Sequence, residues 1–236
     1  MNSLSVWARQ YVRLVMIGGA AVSIYAVTSH RVADIWNLLL MIILTCQMAT
    51  VKIPLRFGSD GCSMLMSFPF TFAALLNFGV HEGIIVAVFC ALSQCLLNYE
   101  RKPPRYRLLF NVAQLALTVS ISGSVYTLCG GRLPMPVTNI SAAALVAGVL
   151  AYWWSTTGLV SGAISLSAQK PFGAVWITTL KWSAVNFIFG GFLAVWLVSF
   201  FHGVGIGIFV LLYPLLYLMH FVYRLVSMRP AILGRN

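Results

Sequence analysis

Few residues in this chain could perform chemistry. Its 236 residues include only four acids and four histidines. His81 and Glu82 begin the stretch "HEGII", which resembles the zinc-binding pattern H-E-x-x-H, but Ile85 occupies the place of the second histidine. No G-x-S-x-G nucleophile motif is present. The sequence therefore predicts no catalytic residue, metal site or cofactor, and we expect the chain not to be an enzyme. A membrane enzyme acting on a lipid is kept as a third alternative.

Apart from catalysis, polar side chains inside apolar segments could bind a ligand, because such side chains tend to face the interior of a helix bundle. The first group of this kind is Asn77, His81 and Glu82, with Asp34 and Asn37 upstream. These residues fall at the outer ends of predicted spans. They could line a pocket open to the outside, or they could form helix caps in hydrated loops.

The second group lies within predicted spans and consists of Gln94, Asn111, Gln114 and Thr118. Asn111, Gln114 and Thr118 are three and four residues apart, so they share one helix face. Hydrogen bonding between neighbouring helices is the favoured interpretation of this polar network, with ligand contact as the alternative.

The third group is centred on adjacent tryptophans, Trp153 and Trp154, followed by hydroxyl residues that include Thr157, with Asn186 in the next span. Adjacent residues point to different faces of a helix, so at least one tryptophan is expected to face inward. Aromatic walls with a few hydroxyls suit a flat, amphipathic small molecule. The predicted ligand-binding residues are accordingly Trp153, Trp154, Thr157, Asn186, Asn77, His81 and Glu82.

Small residues form a stripe along one predicted helix. Gly158 and Gly162 fit the pattern G-x-x-x-G, and Ala143, Ala147 and Ala151 continue it one turn at a time. Packing within the bundle is the favoured interpretation, and a homodimer or a docking surface for another protein is the alternative.

The amino-acid composition indicates whether the surface of the protein faces water or lipid. Hydrophobic residues make up 60% of the chain and charged residues 8%, whereas soluble domains carry about 25% charged residues. The surface must therefore face lipid. The net charge of +11 does not indicate nucleic-acid binding, because the basic residues are scattered between apolar runs and form no continuous stripe.

A transmembrane helix needs about 20 mostly apolar residues. The hydrophobic runs predict an all-α polytopic bundle of about eight spans, with six as the alternative if the third and fourth do not both cross. The predicted spans are Val12–Thr28, Ile35–Val51, Ser63–Phe78, Gly83–Leu97, Leu108–Cys129, Ile140–Ser167, Val175–Phe201 and Val204–Val226.

Charge gives the orientation. With eight spans and the N-terminus inside, twelve of the fifteen Lys and Arg residues are cytoplasmic, two are outside and Lys181 lies within the seventh span. This bias predicts that both termini are cytoplasmic. The cluster Arg101, Lys102, Arg105 and Arg107 is expected to anchor the chain to anionic lipid headgroups. We expect one membrane domain, with two extra spans in 1–62, a six-helix core in 63–226 and a tail or linker in 227–236.

The stretch "RYRLLFNVAQLALTVSISGSVY", from Arg105 to Tyr126, follows a basic loop with F-N-x-x-Q and a Ser-rich apolar helix. Upstream, "FPFTFAALLNFGVHEGIIVAVFCAL" supplies a Pro, small residues, a Gly and a second helix. Together they resemble the polytopic bacterial sensor modules that are fused to diguanylate cyclases or HD-type phosphodiesterases. Those modules are similar in hydrophobic layout to the six-helix substrate-binding subunits of vitamin-uptake transporters. The two extra N-terminal spans depart from the vitamin-binding pattern.

The resemblance implies a sensory input module in the bacterial inner membrane. Such a module would bind a small ligand and pass the signal through its C-terminal helix to a cytoplasmic output domain, which would lie beyond residue 236. The alternative is a substrate-binding subunit of a vitamin-type uptake transporter. The partners expected are the lipid bilayer, a small-molecule ligand, a second copy of the chain and an output domain, and no nucleic acid.

Overall fold

A computed structural model describes residues 5–29, 34–49, 52–55, 62–65, 67–97, 104–136 and 141–204. The elements in this part of the chain are seven helices and one short β-hairpin. The helices are α1 Val6–Ser29, α2 Ile35–Met48, α3 Ser67–Phe78, α4 Val80–Leu97, α5 Arg105–Leu128, α6 Ala142–Ala168 and α7 Phe172–Val204.

The hairpin consists of strands β1, Lys52–Leu55, and β2, Cys62–Leu65. The strands are antiparallel, with Lys52 opposite Leu65 and Leu55 opposite Cys62. The sequence analysis predicts neither strand, because strands of four residues are too short to give a clear alternating pattern. The predicted span Ser63–Phe78 is wrong at its start, since residues 63–65 belong to β2 and α3 begins at Ser67. The fold is therefore a helix bundle with a small β-hairpin between its second and third helices.

In the part of the chain that the structure describes, four helices are long and apolar enough to cross a membrane: α1, α5, α6 and α7. The membrane class of the chain follows from these helices, but the predicted count of about eight spans is not confirmed. Helices α2 and α3 have 14 and 12 residues, or about 21 and 18 Å at 1.5 Å per residue. Both are shorter than a hydrocarbon core of about 30 Å. The eighth predicted span lies, except for Val204, outside the described residues.

The short helix α3 lies inside the bundle, since every residue from Ser67 to Leu76 is buried. A helix enclosed by protein does not have to match the bilayer thickness. Gly79 alone separates α3 from α4, with φ of +109°, a backbone conformation that favours glycine. The carbonyl oxygen of Leu76 accepts a hydrogen bond of 2.7 Å from the amide of Met135. The loop after α5 therefore caps the end of α3.

Contacts between helices give their relative directions. Helix α1 runs antiparallel to α6, because Ser5 bonds Leu166 and Tyr11 bonds the Leu159 carbonyl. Helix α5 is also antiparallel to α6, because Ser122 bonds the Gly148 carbonyl while Thr118 bonds Thr156. Helices α1 and α5 are therefore parallel, and they begin at the same end of the bundle.

Helices α1 and α5 approach each other closely at Gly19. A Cβ atom at this position would lie 2.5 Å from the carbonyl oxygen of Ala113, so the contact requires a glycine. At the neighbouring Gly18 a Cβ would meet only the Leu117 side chain, at 3.7 Å. Residues up to Val198 form one compact unit; the described residues 199–204 belong to a second unit and form the end of α7.

Candidate functional site

One face of α5 supplies hydrogen bonds to its neighbours. Asn111 donates from Nδ2 to the sulfur of Cys95 on α4 at 3.2 Å. Thr118 accepts a bond of 3.3 Å from Thr156 on α6. The sequence predicts a polar network at these positions, and the structure places both side chains in contacts between helices.

Gln114 belongs to the same face but differs from its neighbours. Its side chain is 8% exposed, and its Oε1 atom is buried without a hydrogen-bond donor. Asn186 on α7 resembles it, because its Oδ1 atom is also buried without a donor. A buried acceptor that lacks a donor costs about 1–3 kcal/mol. These two amide oxygens are thus sites at which a hydrogen-bond donor from a bound molecule would stabilise the bundle.

A polar cluster between α3 and α4 includes residues that the sequence does not single out. Gln94 donates from Nε2 to Ser67 Oγ at 2.8 Å and to Cys90 Sγ at 3.3 Å. The hydroxyl of Thr71 donates to the main-chain oxygen of Ser67 at 3.0 Å. Ser67 and Thr71 are four residues apart, as are Cys90 and Gln94. This matched spacing is the sequence signal that could have identified the cluster.

An aromatic cluster lies beside these polar groups. Phe68 is its centre, with ring-centroid distances of 4.8 Å to Tyr152, 4.5 Å to Phe187 and 5.6 Å to Phe72. Trp153 stacks on Phe187 at 6.0 Å. Helices α3, α6 and α7 therefore meet through aromatic rings, and aromatic side chains of this kind form the walls of many small-molecule sites.

Helix α6 contacts α7 through polar residues spaced four apart. Trp153 donates from Nε1 to Ser183 at 2.8 Å. Thr157 accepts a bond of 3.2 Å from the indole of Trp176. These contacts hold two of the predicted ligand-binding residues, Trp153 and Thr157, in bonds between the helices.

The other tryptophan of the pair points away from the bundle. Trp154 is 54% exposed, so the structure places it on the outer surface and Trp153 on the inner one. The sequence predicts that at least one of the two faces inward, and the helix geometry separates them as expected for adjacent residues.

The first predicted group, Asn77, His81 and Glu82, lies around the turn between α3 and α4. Glu82 is 5% exposed, and the His81 ring lies 5.7 Å from the ring of Tyr25 on α1. Asp34 caps α2 by accepting a bond of 3.1 Å from the amide of Asn37. The structure brings Asn77, His81 and Glu82 to one end of the bundle, and it uses Asp34 as a helix cap.

In the small-residue stripe of α6, the glycines pack against other helices and the alanines are exposed or partly exposed. A Cβ on Gly162 would lie 2.7 Å from the hydroxyl of Tyr11, and one on Gly158 would lie 3.9 Å from the indole nitrogen of Trp176. Both glycines therefore face other helices. Of the alanines, Ala143 is exposed, and Ala147 and Ala151 are partly exposed.

The histidines, cysteines and acids do not gather into a metal centre in the part of the chain that the structure describes. No group of three such residues there could hold a metal ion.

In the described residues, four helices are long and apolar enough to cross a membrane, and the bundle carries an aromatic cluster and three buried amide oxygens without donors, those of Asn37, Gln114 and Asn186. No protein-family model, curated protein or solved structure matches the chain.

Proposed function

We propose that the chain is a membrane-embedded sensory input module that binds a small amphipathic molecule within its helix bundle. The observation that carries the proposal is the unpaired Oε1 atom of Gln114. Asn111 and Thr118, on the same face of α5, are both bonded to neighbouring helices. A polar residue that is buried without a hydrogen-bond partner destabilises a membrane protein, and such residues are commonly functional.

The ligand would carry a hydrogen-bond donor, such as a hydroxyl, amine or amide group, because the unpaired Oε1 of Gln114 and Oδ1 of Asn186 can only accept. It would also carry a flat apolar part. The rings of Phe68, Phe187 and Trp153 provide the aromatic surface for it. A donor group joined to a flat apolar body is an amphipathic molecule.

The proposed setting is the bacterial inner membrane, crossed several times, with both termini in the cytoplasm. This part rests on the distribution of basic residues and on the resemblance of Arg105–Tyr126 to bacterial sensor modules. The signal would leave through the C-terminal helix by a change in its position or in its pairing with a second copy. Most of that helix lies outside the described residues.

The proposal is tested by purification in a mild detergent, followed by mass spectrometry of the small molecules released on denaturation. Thermal unfolding is then followed with riboflavin, thiamine, biotin and long-chain alcohols, each added separately. We expect a released molecule, or a rise in the midpoint temperature with one compound, that is lost in Gln114→Met. An empty protein whose midpoint temperature does not change with any compound would contradict ligand binding.

An uptake subunit of a transporter is the second candidate. The partly exposed Ala147 and Ala151 favour it, because small residues on a helix surface allow close docking of another helix. Uptake of a labelled ligand by cells, lost in Ala147→Leu but kept in Val146→Leu, would assign transport. Val146 is the control because it is exposed on the same helix. Binding without uptake would leave the sensor as the function.

A further inference from the structure

Helix α7 carries a single Lys, Arg, Asp or Glu residue, which is Lys181. This lysine is exposed. Ile177, Val185, Ile188 and Phe192 are each more than half exposed. They lie four residues before Lys181 and four, seven and eleven residues after it, so all five share one helix face. We call this face the lysine stripe.

The opposite face of α7 contacts α6. Ser183 and Thr179, two residues to either side of Lys181, bond Trp153 and Ser161 of α6 at 2.8 and 3.4 Å. Two residues correspond to about 200° around a helix with 3.6 residues per turn. Lys181 therefore points away from α6, and the lysine stripe is separate from the aromatic cluster inside the bundle.

The same two hydrogen bonds give the level of Lys181 along α6. Their α6 partners are eight residues apart, and Thr157 lies midway between them. Thr157 is 11 residues from the last residue of α6 and 15 from its first, or about 17 and 22 Å at 1.5 Å per residue. Helix α6 is long and apolar enough to cross a membrane. A hydrocarbon core of about 30 Å centred on α6 would place Lys181 within one helix turn of the midplane.

An ammonium group at this depth is costly unless it is paired. The four-carbon stem of lysine lets the charge move only about one turn along the helix, whereas the headgroups begin about 15 Å from the midplane. Among the described residues, Lys181 has no carboxylate partner. The acids there are Asp34, which caps α2, and Glu82, which is buried in the first turn of α4.

We propose that the lysine stripe binds a transmembrane helix of a partner protein that carries an Asp or Glu residue at the depth of Lys181. Ionisable residues inside a membrane commonly pair with one another. A carboxylate would compensate the ammonium charge, and apolar side chains of the same helix would pack on Val185 and Ile188.

Two other occupants fit the lysine stripe less well. A lipid headgroup would lie too far from Lys181. A second copy of the chain would not supply the carboxylate from its described residues, because Asp34 caps the start of α2 and Glu82 is buried. The proposal concerns the outward face of α7 and does not depend on a ligand inside the bundle.

The test uses the full chain in phosphatidylcholine nanodiscs and a synthetic helix of about 20 leucine and alanine residues with one Asp at its centre. A second peptide carries Asn at the same place, which keeps the size of the side chain and removes its charge. Association is measured by energy transfer between dyes on the peptide and on the chain. We expect the Asp peptide to bind about tenfold more tightly than the Asn peptide, equivalent to about 1.4 kcal/mol.

Lys181→Met should abolish this preference, and Lys181→Arg should keep it because the positive charge remains. Lys170→Met is the matched control, since Lys170 is also exposed but lies in the turn between α6 and α7. It should prefer the Asp peptide as the wild type does.

Equal binding of both peptides by the wild type would overturn the proposal, and that comparison does not depend on the folding of any variant. A preference that persists in Lys181→Met, or that Lys170→Met loses equally, would place the carboxylate elsewhere and overturn it too. Loss of the preference in phosphatidylglycerol nanodiscs would assign Lys181 to a lipid headgroup. Energy transfer between two labelled copies, lost in Lys181→Met, would assign the stripe to a homodimer. Either of these two results would also overturn the proposal.

Discussion

Replacing Gln114 by Met removes the side-chain amide and keeps an unbranched side chain of similar length. The substitution therefore tests the unpaired Oε1 atom directly. In the ligand-free protein, a buried acceptor without a donor costs about 1–3 kcal/mol. The unfolded state within a membrane also finds partners for polar groups, which reduces such differences. We expect a gain near the lower limit, about 1 kcal/mol.

For a chain of this size, 1 kcal/mol shifts the unfolding midpoint by about 2–4 °C. Gln114→Met should therefore unfold at a higher temperature than the wild type when the bundle is empty. The measurement is thermal unfolding in detergent or nanodiscs, followed by circular dichroism or intrinsic fluorescence.

Asn111→Leu is the matched comparison, since Asn111 lies on the same helix face and donates a hydrogen bond to Cys95. Its removal should lower the midpoint, because a bond between helices worth about 0.6–2 kcal/mol is lost. The two substitutions should therefore act in opposite directions. If Gln114→Met lowers the midpoint as much as Asn111→Leu does, Gln114 is bonded in the free protein and the argument for a donor ligand is wrong.

A bound ligand stabilises the wild type more than it stabilises Gln114→Met. At 100 times its dissociation constant, a ligand stabilises the protein by about 2.7 kcal/mol. The wild type should gain this, whereas Gln114→Met should gain less because it cannot accept the ligand's hydrogen bond. An identical ligand-induced shift in both proteins would place the ligand away from Gln114.

Two further predictions concern the packing of the bundle. Gly19→Ala should destabilise the fold by about 1–3 kcal/mol, because its Cβ would lie 2.5 Å from a carbonyl oxygen of α5, whereas Gly18→Ala has room and should be neutral or slightly stabilising; chemical unfolding of the pair measures the difference, and equal stabilities would contradict the close approach. Trp153→Phe should lower the midpoint by removing the 2.8 Å bond to Ser183, whereas Trp154→Phe, on the exposed surface, should leave it nearly unchanged; the reverse order in a thermal melt would show that the wrong tryptophan is placed inside.

The sequence predicted the long helices well and the short elements poorly. The run Leu108–Cys129 became α5, Arg105–Leu128, and the run Ile140–Ser167 became α6, Ala142–Ala168. Continuous apolar composition is enough to place such helices. Apolar composition does not predict whether a helix faces lipid or protein. Composition therefore predicts a short span over Ser63–Phe78, whereas α3 is only 12 residues long and is enclosed by the bundle.

The site could be predicted only as a set of polar positions. Spacing placed Asn111, Gln114 and Thr118 on one face of a helix. The partners of Asn111 and Thr118 come from two different helices, and their identities depend on how those helices rotate. The spacing of polar residues along one helix does not predict how the neighbouring helices are rotated about their axes.

A site of this kind is defined by a missing partner and not by a residue type. Asn and Gln are chemically equivalent in the sequence, since each offers one acceptor and one donor group. In the bundle, Asn111 reaches a neighbouring helix through its donor group, whereas Gln114 leaves its acceptor unpaired. A molecule that donates a hydrogen bond would therefore discriminate between two residues that hydropathy treats alike.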